Sequence, residues 1–265
     1  MRAKRFKIFI DQGHNPHSHN TGAIANGMHE ADIVFDVGIY LHDILQKDFD
    51  VMLSRPNHGT VLGTNNQSAV NARWQLANAW GADYFISLHV NAGGGTGAET
   101  LYFRPDSLEF ARTVQDIYSS EMSLHNRRVW HRDNVGVVRW TNMPAVLLEL
   151  GFIDAPVSVS VWGTWDVDIL RDRRKDMATA VAKALYAHLG ITPGTSAQQP
   201  PIPATPSPDR PFTDVPPGHW SEEAFSEMHK LGLISGLGDG TVGFGQPMET
   251  ERIVQLMWNV VKRFE

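Results

Sequence analysis

Over its first 190 residues the chain alternates short runs of Val, Ile, Phe, Tyr and Leu with longer stretches whose apolar side chains recur at helical spacing. The short runs are FKIFID (6–11), FDVMLS (49–54), DYFISLH (83–89), AETLYF (98–103), VGVVR (135–139) and AVLLEL (145–150), and each reads as a strand. Between them, EADIVFDVGIYLHDILQK (30–47) sets Ile33, Val37, Tyr40, Leu41 and Ile44 on one helical face. NNQSAVNARWQLANAWG (65–81) and DSLEFARTVQDIYSSEM (106–122) follow the same period. RRKDMATAVAKALYAHLG (173–190) adds a fourth helix that closes on Gly190, a residue type suited to a helix C-terminus. Parallel neighbours need a crossover of helix length between them, so this alternation predicts an α/β sandwich built on a mostly parallel sheet.

The pattern then stops. TPGTSAQQPPIPATPSPDRP (192–211) holds seven prolines in twenty residues and almost nothing to bury, which makes residues 191–211 a semi-extended spacer. Residues 212–265 place two helical patterns, HWSEEAFSEMHKLGLI (219–234) and ETERIVQLMWNVVKRF (249–264), around the Gly-rich turn SGLGDGTVGFG (235–245). A unit this small buries little core, so it is expected to lean on the main domain or on a second copy of the chain. The domain plan is therefore 1–190, a linker over 191–211, and a small helical domain over 212–265.

Composition removes several classes of chemistry. The chain has no cysteine, so disulfides, thiolate metal sites and cysteine nucleophiles are excluded, and any metal must be held by His and carboxylates. A net charge of −6 gives no electrostatic reason to expect nucleic acid or an anionic membrane as partner. No stretch approaches a membrane span. The first apolar run, Ile8–Ile10, is cut short by Asp11 and is too brief for a secretory signal, so synthesis in the cytoplasm without an export signal is expected.

Polar groups concentrate in IFIDQGHNPHSHNTGAIANGMHEADI (8–33), which carries His14, His17, His19 and His29 with Asp11, Glu30 and Asp32. His14 follows one apolar strand and His89 ends another, and in open α/β sheets ligands gather at the carboxyl ends of strands. Glu30 opens a helix, where a carboxylate suits the dipole. Glu149 sits inside the apolar run PAVLLEL, a costly place for a carboxylate that is not paired, coordinated or catalytic. Each residue also has an ordinary reading: a turn His, a helix-end charge, a strand-capping His, and a buried ion-pair partner of an arginine. Taken together, two His and one Glu to bind and a second Glu to act are the parts of a hydrolytic zinc site with an open position. HEADI starts like the H-E-x-x-H helix of zinc peptidases but has Ile33 where the second His would stand, so that motif is absent.

In order along the chain, DQGH (11–14), NGMHEADI (26–33), SRP (54–56), NARWQLANAWGADYFISLHVNA (71–92) and NMPAVLLELGFI (142–153) resemble the zinc-dependent N-acetylmuramoyl-L-alanine amidases over residues 6–190. The resemblance implies a twisted six-stranded sheet flanked by helices and one Zn2+ held by His14, Glu30 and His89. It further implies Glu149 as the catalytic carboxylate, and peptidoglycan as substrate, cut between N-acetylmuramic acid and L-alanine. After His14 the chain departs from the family's glycine pair with NPHSHNTGA. His17 and His19 have no counterpart there and are expected to be exposed loop residues, with His29 a bystander. Arg55 and Arg73 are expected to pair with helix carboxylates, substrate binding being the alternative. The loop NAGGGTGAE (91–99) either admits a glycan strand or merely connects.

FTDVPPGHWSEEAFSEMHKLGLISGLGDGTVGFGQPM (212–248) resembles an S-layer homology motif, present once and followed by ETERIV where the family favours T-R-A-E. That resemblance implies binding to a secondary cell-wall polymer, with homo-oligomerisation through a small helical pair as the alternative. Two other functions compete with the amidase: a zinc peptidase cutting within the stem peptide, and a non-catalytic wall-binding protein, against which the intact set of four residues argues. An unexported amidase suits a phage endolysin held in the host cytoplasm until lysis and acting on Gram-positive-type walls. A bacterial autolysin working in the cell wall is the other setting.

Overall fold

A computed structural model of the chain describes residues 5–156, 166–194, 211–212, 215, 222–234 and 242. It divides into two compact units, residues 1–197 and 198–265.

The first unit is built on β1 (Lys7–Gln12), which pairs in parallel with β4 (Asp50–Leu53) on one side and β5 (Tyr84–Asn91) on the other. Beyond β5 lies β8 (Ala145–Phe152), also parallel, then β6 (Ala98–Tyr102) antiparallel to β8, and β7 (Asn126–His131) at the edge, parallel to β6. The sheet order is β4-β1-β5-β8-β6-β7. This is the mostly parallel six-stranded sheet expected. A two-stranded ribbon, β2 (Ile24–Ala25) with β3 (Met28–His29), precedes the first helix.

Side chains alternate across the sheet, as a period of two requires. Ile8, Ile10, Ile86, Leu88, Val146 and Leu148 point into one core. That core is closed by α1 (Glu30–Leu45), α3 (Leu108–Met122) and α6 (Arg174–Leu189). Phe9, Phe85, Ala145 and Leu147 point the other way, onto α2 (Asn66–Trp80) and the short α4 (Gly136–Arg139). The faces of α1 follow the expected spacing, with Ile33, Val37 and Leu41 fully buried. Asn65 starts α2 with a reciprocal cap: its side chain accepts from the Ser68 backbone N–H, and the Ser68 hydroxyl accepts from that of Asn65. Gly190 closes α6 as anticipated.

Two assignments change. VGVVR is helical, not a strand: it forms α4, which lays Val137 and Val138 on the sheet. The sixth strand is instead β7, NRRVWH, whose side chains are largely exposed at the sheet edge. A short helix, α5 (Asp166–Asp172), precedes α6 and has no counterpart in the sequence reading.

In the second unit the described residues include α7 (Glu222–Lys230), within the first helical pattern. Phe225 packs edge-on to Phe212, with ring centroids 6.3 Å apart, beside Val215 and Val242. The pattern at 249–264, most of the linker and most of the Gly-rich turn lie outside the described residues. Among the described residues no helix is long and apolar enough to cross a membrane.

Candidate metal centre

β1, β5 and α1 deliver three side chains to one point at the carboxyl edge of the sheet. His14 lies just past β1, His89 is on β5, and Glu30 is the first residue of α1. Ligand-type atoms of the three all lie within 4.8 Å of one another. Glu30 Oε1 is 3.0 Å from His14 Nε2 and 3.1 Å from His89 Nδ1.

The backbone is shaped around this convergence. His14 has φ 63°, in the left-handed region that costs a non-glycine residue energy and gathers at functional sites. A Cβ on Gly13 would stand 2.6 Å from both His89 Nε2 and the Leu88 carbonyl oxygen. Gly22, at φ 75°, would bring one within 2.7 Å of Glu30 Oε2. Both positions therefore need glycine for the ligand set to close.

Hydrogen bonds orient each group. His14 Nδ1 faces the Asn20 side-chain oxygen at 2.8 Å and the Asn20 carbonyl at 3.2 Å. Both are acceptors, so Nδ1 carries the proton and Nε2 turns its lone pair toward the Glu30 carboxylate. Two acceptors in that position call for a second proton or a cation between them. Glu30 accepts from the backbone N–H groups of Ala23 and Val90, each at 2.9 Å. Burial would raise its pKa, but the hydrogen bonds and charges of His14 and His89 hold it well below the usual carboxylate range. Burial, with the charge of His14, lowers the pKa of His89 and favours the neutral imidazole that coordinates metals. Two imidazole nitrogens and one carboxylate with a side left open fit a Zn2+ ion.

A buried frame sits beneath. Arg73 on α2 donates to Asp11 Oδ1 and to the Gln12 carbonyl at 2.6 Å each, and to the His14 carbonyl at 2.5 Å. Asp11 also accepts from Ser87 at 2.7 Å. Its burial is outweighed by the Arg73 charge and these hydrogen bonds, so its pKa is lowered. Arg55 donates to the backbone carbonyls of Gly13, Ala31 and His58. Neither arginine does as expected: Arg73 pairs with a strand carboxylate, and Arg55 holds carbonyls. Both are fully or almost fully buried, and the acceptors that reach them include Asp11 and backbone carbonyls around the end of β1 and the start of α1.

Glu149 is the Cα partner of His89 on β5 and of Glu99 on β6, so three ionisable residues stand in a row across adjacent strands. Its Oε2 is sealed from solvent and has no hydrogen-bond partner. Burial first, then the Glu30 and Glu99 carboxylates, push its pKa up to about 8. No arginine pairs with it among the described residues. Glu99, which no local motif marks, accepts from Asn91 Nδ2 and Arg127 Nε, each at 3.0 Å.

His14 and His89 open into a cleft of about 530 Å³ whose far wall is the segment from Asp133 to Trp140. His17 and His29 are exposed and lie outside the cluster. His19 departs from expectation: it is half-buried, with Nε2 3.0 Å from the Leu62 carbonyl, where it ties down the loop after His14. The glycine loop is likewise fastened, Asp154 accepting from the N–H groups of Gly93 and Gly94.

Asn20 was invisible as a functional residue because nothing in its local pattern marks it. Asn20→Ala is expected to weaken metal binding about ten-fold, the low end for a lost orienting group, since the backbone carbonyl remains. Competition with a chromogenic zinc chelator measures it; unchanged affinity would dismiss the orienting role.

Comparison with known proteins agrees with the geometry. The N-acetylmuramoyl-L-alanine amidase family model matches residues 8–187, and the S-layer homology domain model matches residues 211–243. The chain is 40% identical over 157 residues to an N-acetylmuramoyl-L-alanine amidase of Bacillus licheniformis, covering 56% of this chain and 57% of that protein. It is 38% identical over 154 residues to a sporulation-specific N-acetylmuramoyl-L-alanine amidase of Bacillus subtilis, covering 56% of each. The chain thus spans little more than half the length of these curated relatives. The crystal structure of an N-acetylmuramoyl-L-alanine amidase from Clostridium difficile 630 superposes with a TM-score of 0.60 at 27% identity, covering 71% of this chain and 98% of that one.

Proposed function

Because the chain belongs to the N-acetylmuramoyl-L-alanine amidase family, we propose that it hydrolyses the amide between the lactyl carbonyl of N-acetylmuramic acid and L-alanine in peptidoglycan. His14, Glu30 and His89 hold one Zn2+, and Glu149 is the catalytic carboxylate. The observation that carries this reading is the convergence of three ligand-type atoms within 4.8 Å of one another, in register with a buried carboxylate whose Oε2 has no partner.

A zinc ion there supplies Lewis acidity, polarising an amide carbonyl and easing deprotonation of water. The remaining work falls to the chain's own groups. Glu149 removes a proton from the attacking water, whose oxygen bonds to the carbonyl carbon. It then returns that proton to the nitrogen of L-alanine as the C–N bond breaks. One carboxyl serves both duties, ionised when it takes the proton and neutral when it gives it up. Asn20 holds the His14 tautomer, and Arg73 fixes the strand end that bears it.

Mass spectrometry of digested peptidoglycan tests the bond assignment. The expected products are intact stem peptides with a free L-alanine amino group; fragments cut inside the peptide would point to the zinc peptidase instead.

The second unit anchors the enzyme to a secondary wall polymer, a reading supported by the S-layer homology match over residues 211–243. Deleting residues 198–265 should reduce co-sedimentation with purified walls while leaving hydrolysis of soluble muropeptides intact. Equal sedimentation of both forms would refute the anchor. As a lysis enzyme acting on Gram-positive-type walls, it should be encoded beside a membrane pore-former, which the gene neighbourhood tests directly.

A further inference from the structure

Two arginines line the metal cleft, and they differ in kind. Arg73 is buried and committed to Asp11 at 2.6 Å. Arg139 is exposed, at the C-terminus of α4, and has no carboxylate partner among the described residues. Its guanidinium is nevertheless held. One Nη1 donates to the Asp133 carbonyl, while the group lies 4.9 Å from the Trp140 ring centroid and 5.4 Å from that of Phe103.

That combination is unusual for a surface arginine, whose long side chain ordinarily loses considerable rotamer entropy on binding. Contact with two rings and one carbonyl settles part of that cost in advance, and the guanidinium fork has further donors to offer. Trp140 is itself 54% exposed and lines the same cleft. Its backbone carbonyl accepts from Asn78 Nδ2 at 2.8 Å, which pins the wall to α2. Planar, pre-positioned and unpaired, such a group matches a carboxylate in bidentate geometry.

We propose that Arg139 is a specificity-determining residue that binds a free carboxylate on the peptide part of the substrate, close to the scissile amide. The proposal rests on the amidase reading and extends it to which peptides are preferred. A cleft of about 530 Å³ has the size of a small-ligand pocket, so the carboxylate it reads belongs to one of the first residues of the peptide. Peptidoglycans differ at this point, since that carboxylate is free in some and amidated in others. Amidation removes the charge and one acceptor oxygen, and with them the fork-to-carboxylate contact.

The test compares two small ligands on full-length protein carrying Glu149→Gln, so that nothing is turned over. With the γ-carboxyl capped as its methylamide in both, N-acetylmuramoyl-L-alanyl-D-glutamate bears the free α-carboxylate, and N-acetylmuramoyl-L-alanyl-D-isoglutamine bears the amide in its place. Calorimetric titration should show the acid binding about ten-fold or more tightly, the range for a hydrogen-bonded charged pair. Adding Arg139→Ala should erase the difference without lowering the melting temperature, and Arg139→Lys should restore only part of it. Equal binding of the two ligands, a preference that survives Arg139→Ala, or no binding of either would overturn the proposal. Failure of the amidase reading itself shows separately, as wild-type protein that releases no L-alanine amino termini from peptidoglycan.

Discussion

Glu149→Ala should leave the fold and one bound zinc per chain in place while lowering peptidoglycan hydrolysis by about 10²–10⁴-fold, the usual contribution of a general acid–base group. The separation of effects follows from geometry. Glu149 stands on β8, beside His89 rather than among the three ligand-type atoms, so its loss removes proton transfer without opening the metal set. Zinc content by atomic absorption and turnover of soluble muropeptide together check the result. Near-wild-type turnover would remove Glu149 from the mechanism.

Glu149→Gln carries a second expectation, in stability. The pKa of Glu149 rises from an ordinary 4.5 to about 8 in the folded metal-free protein. Between these values the folded state binds more protons at this group than the unfolded one, so the contribution of Glu149 to stability is fully present below pH 4.5 and is lost as pH rises through about 8. Near pH 8, therefore, metal-free Glu149→Gln should be more stable than wild type by roughly 2–4 kcal/mol, with the gap closing at pH 5. A gap independent of pH would contradict the burial of that carboxylate. A nearby divalent cation favours the ionised form, so added zinc should shrink the same gap.

His14→Ala and His89→Ala should each lose both metal and activity. A zinc site supplies roughly 10–16 kcal/mol at neutral pH, so removing one of three ligands costs about 10²–10⁴-fold in affinity. At zinc concentrations about 100-fold above the wild-type Kd, wild type gains about 2.7 kcal/mol of stability. Neither variant should gain more than about 0.4 kcal/mol, and thermal unfolding with and without zinc reads this out. Full zinc-dependent stabilisation of either variant would exclude that residue as a ligand. The two variants should fold when metal-free, since each His is at the cleft and outside the apolar cores.

The strands that carry the site were legible because they are central. β1, β5 and β8 are covered on both faces, and their nearly unbroken Ile, Phe, Leu and Val runs reflect that burial. β7 was missed for the opposite reason: an edge strand with most side chains in solvent has no apolar alternation to read. VGVVR was misread because a short β-branched run has no period to tell a strand from a helical turn. Here Val137 and Val138 cover the sheet from α4 instead of joining it. His14, Glu30 and His89 could be picked out by position at element ends. Their supports could not. Gly13 and Gly22 matter through close approach, Asn20 through one hydrogen bond, and Glu99 through strand register; none of these leaves a mark in local sequence. Arg73 was singled out but given the wrong partner, because Asp11 reaches it only through sheet packing 62 residues away in sequence.

The central claim is that one zinc ion is held by His14, Glu30 and His89. X-ray diffraction from zinc-loaded crystals, recorded on both sides of the zinc absorption edge, tests it most directly. The account predicts a single strong anomalous peak per chain, about 2.0–2.2 Å from a nitrogen of each histidine and from a Glu30 oxygen, with Glu149 facing it and not bonded. A peak held by other residues, or none at a zinc concentration that supports hydrolysis, would contradict it.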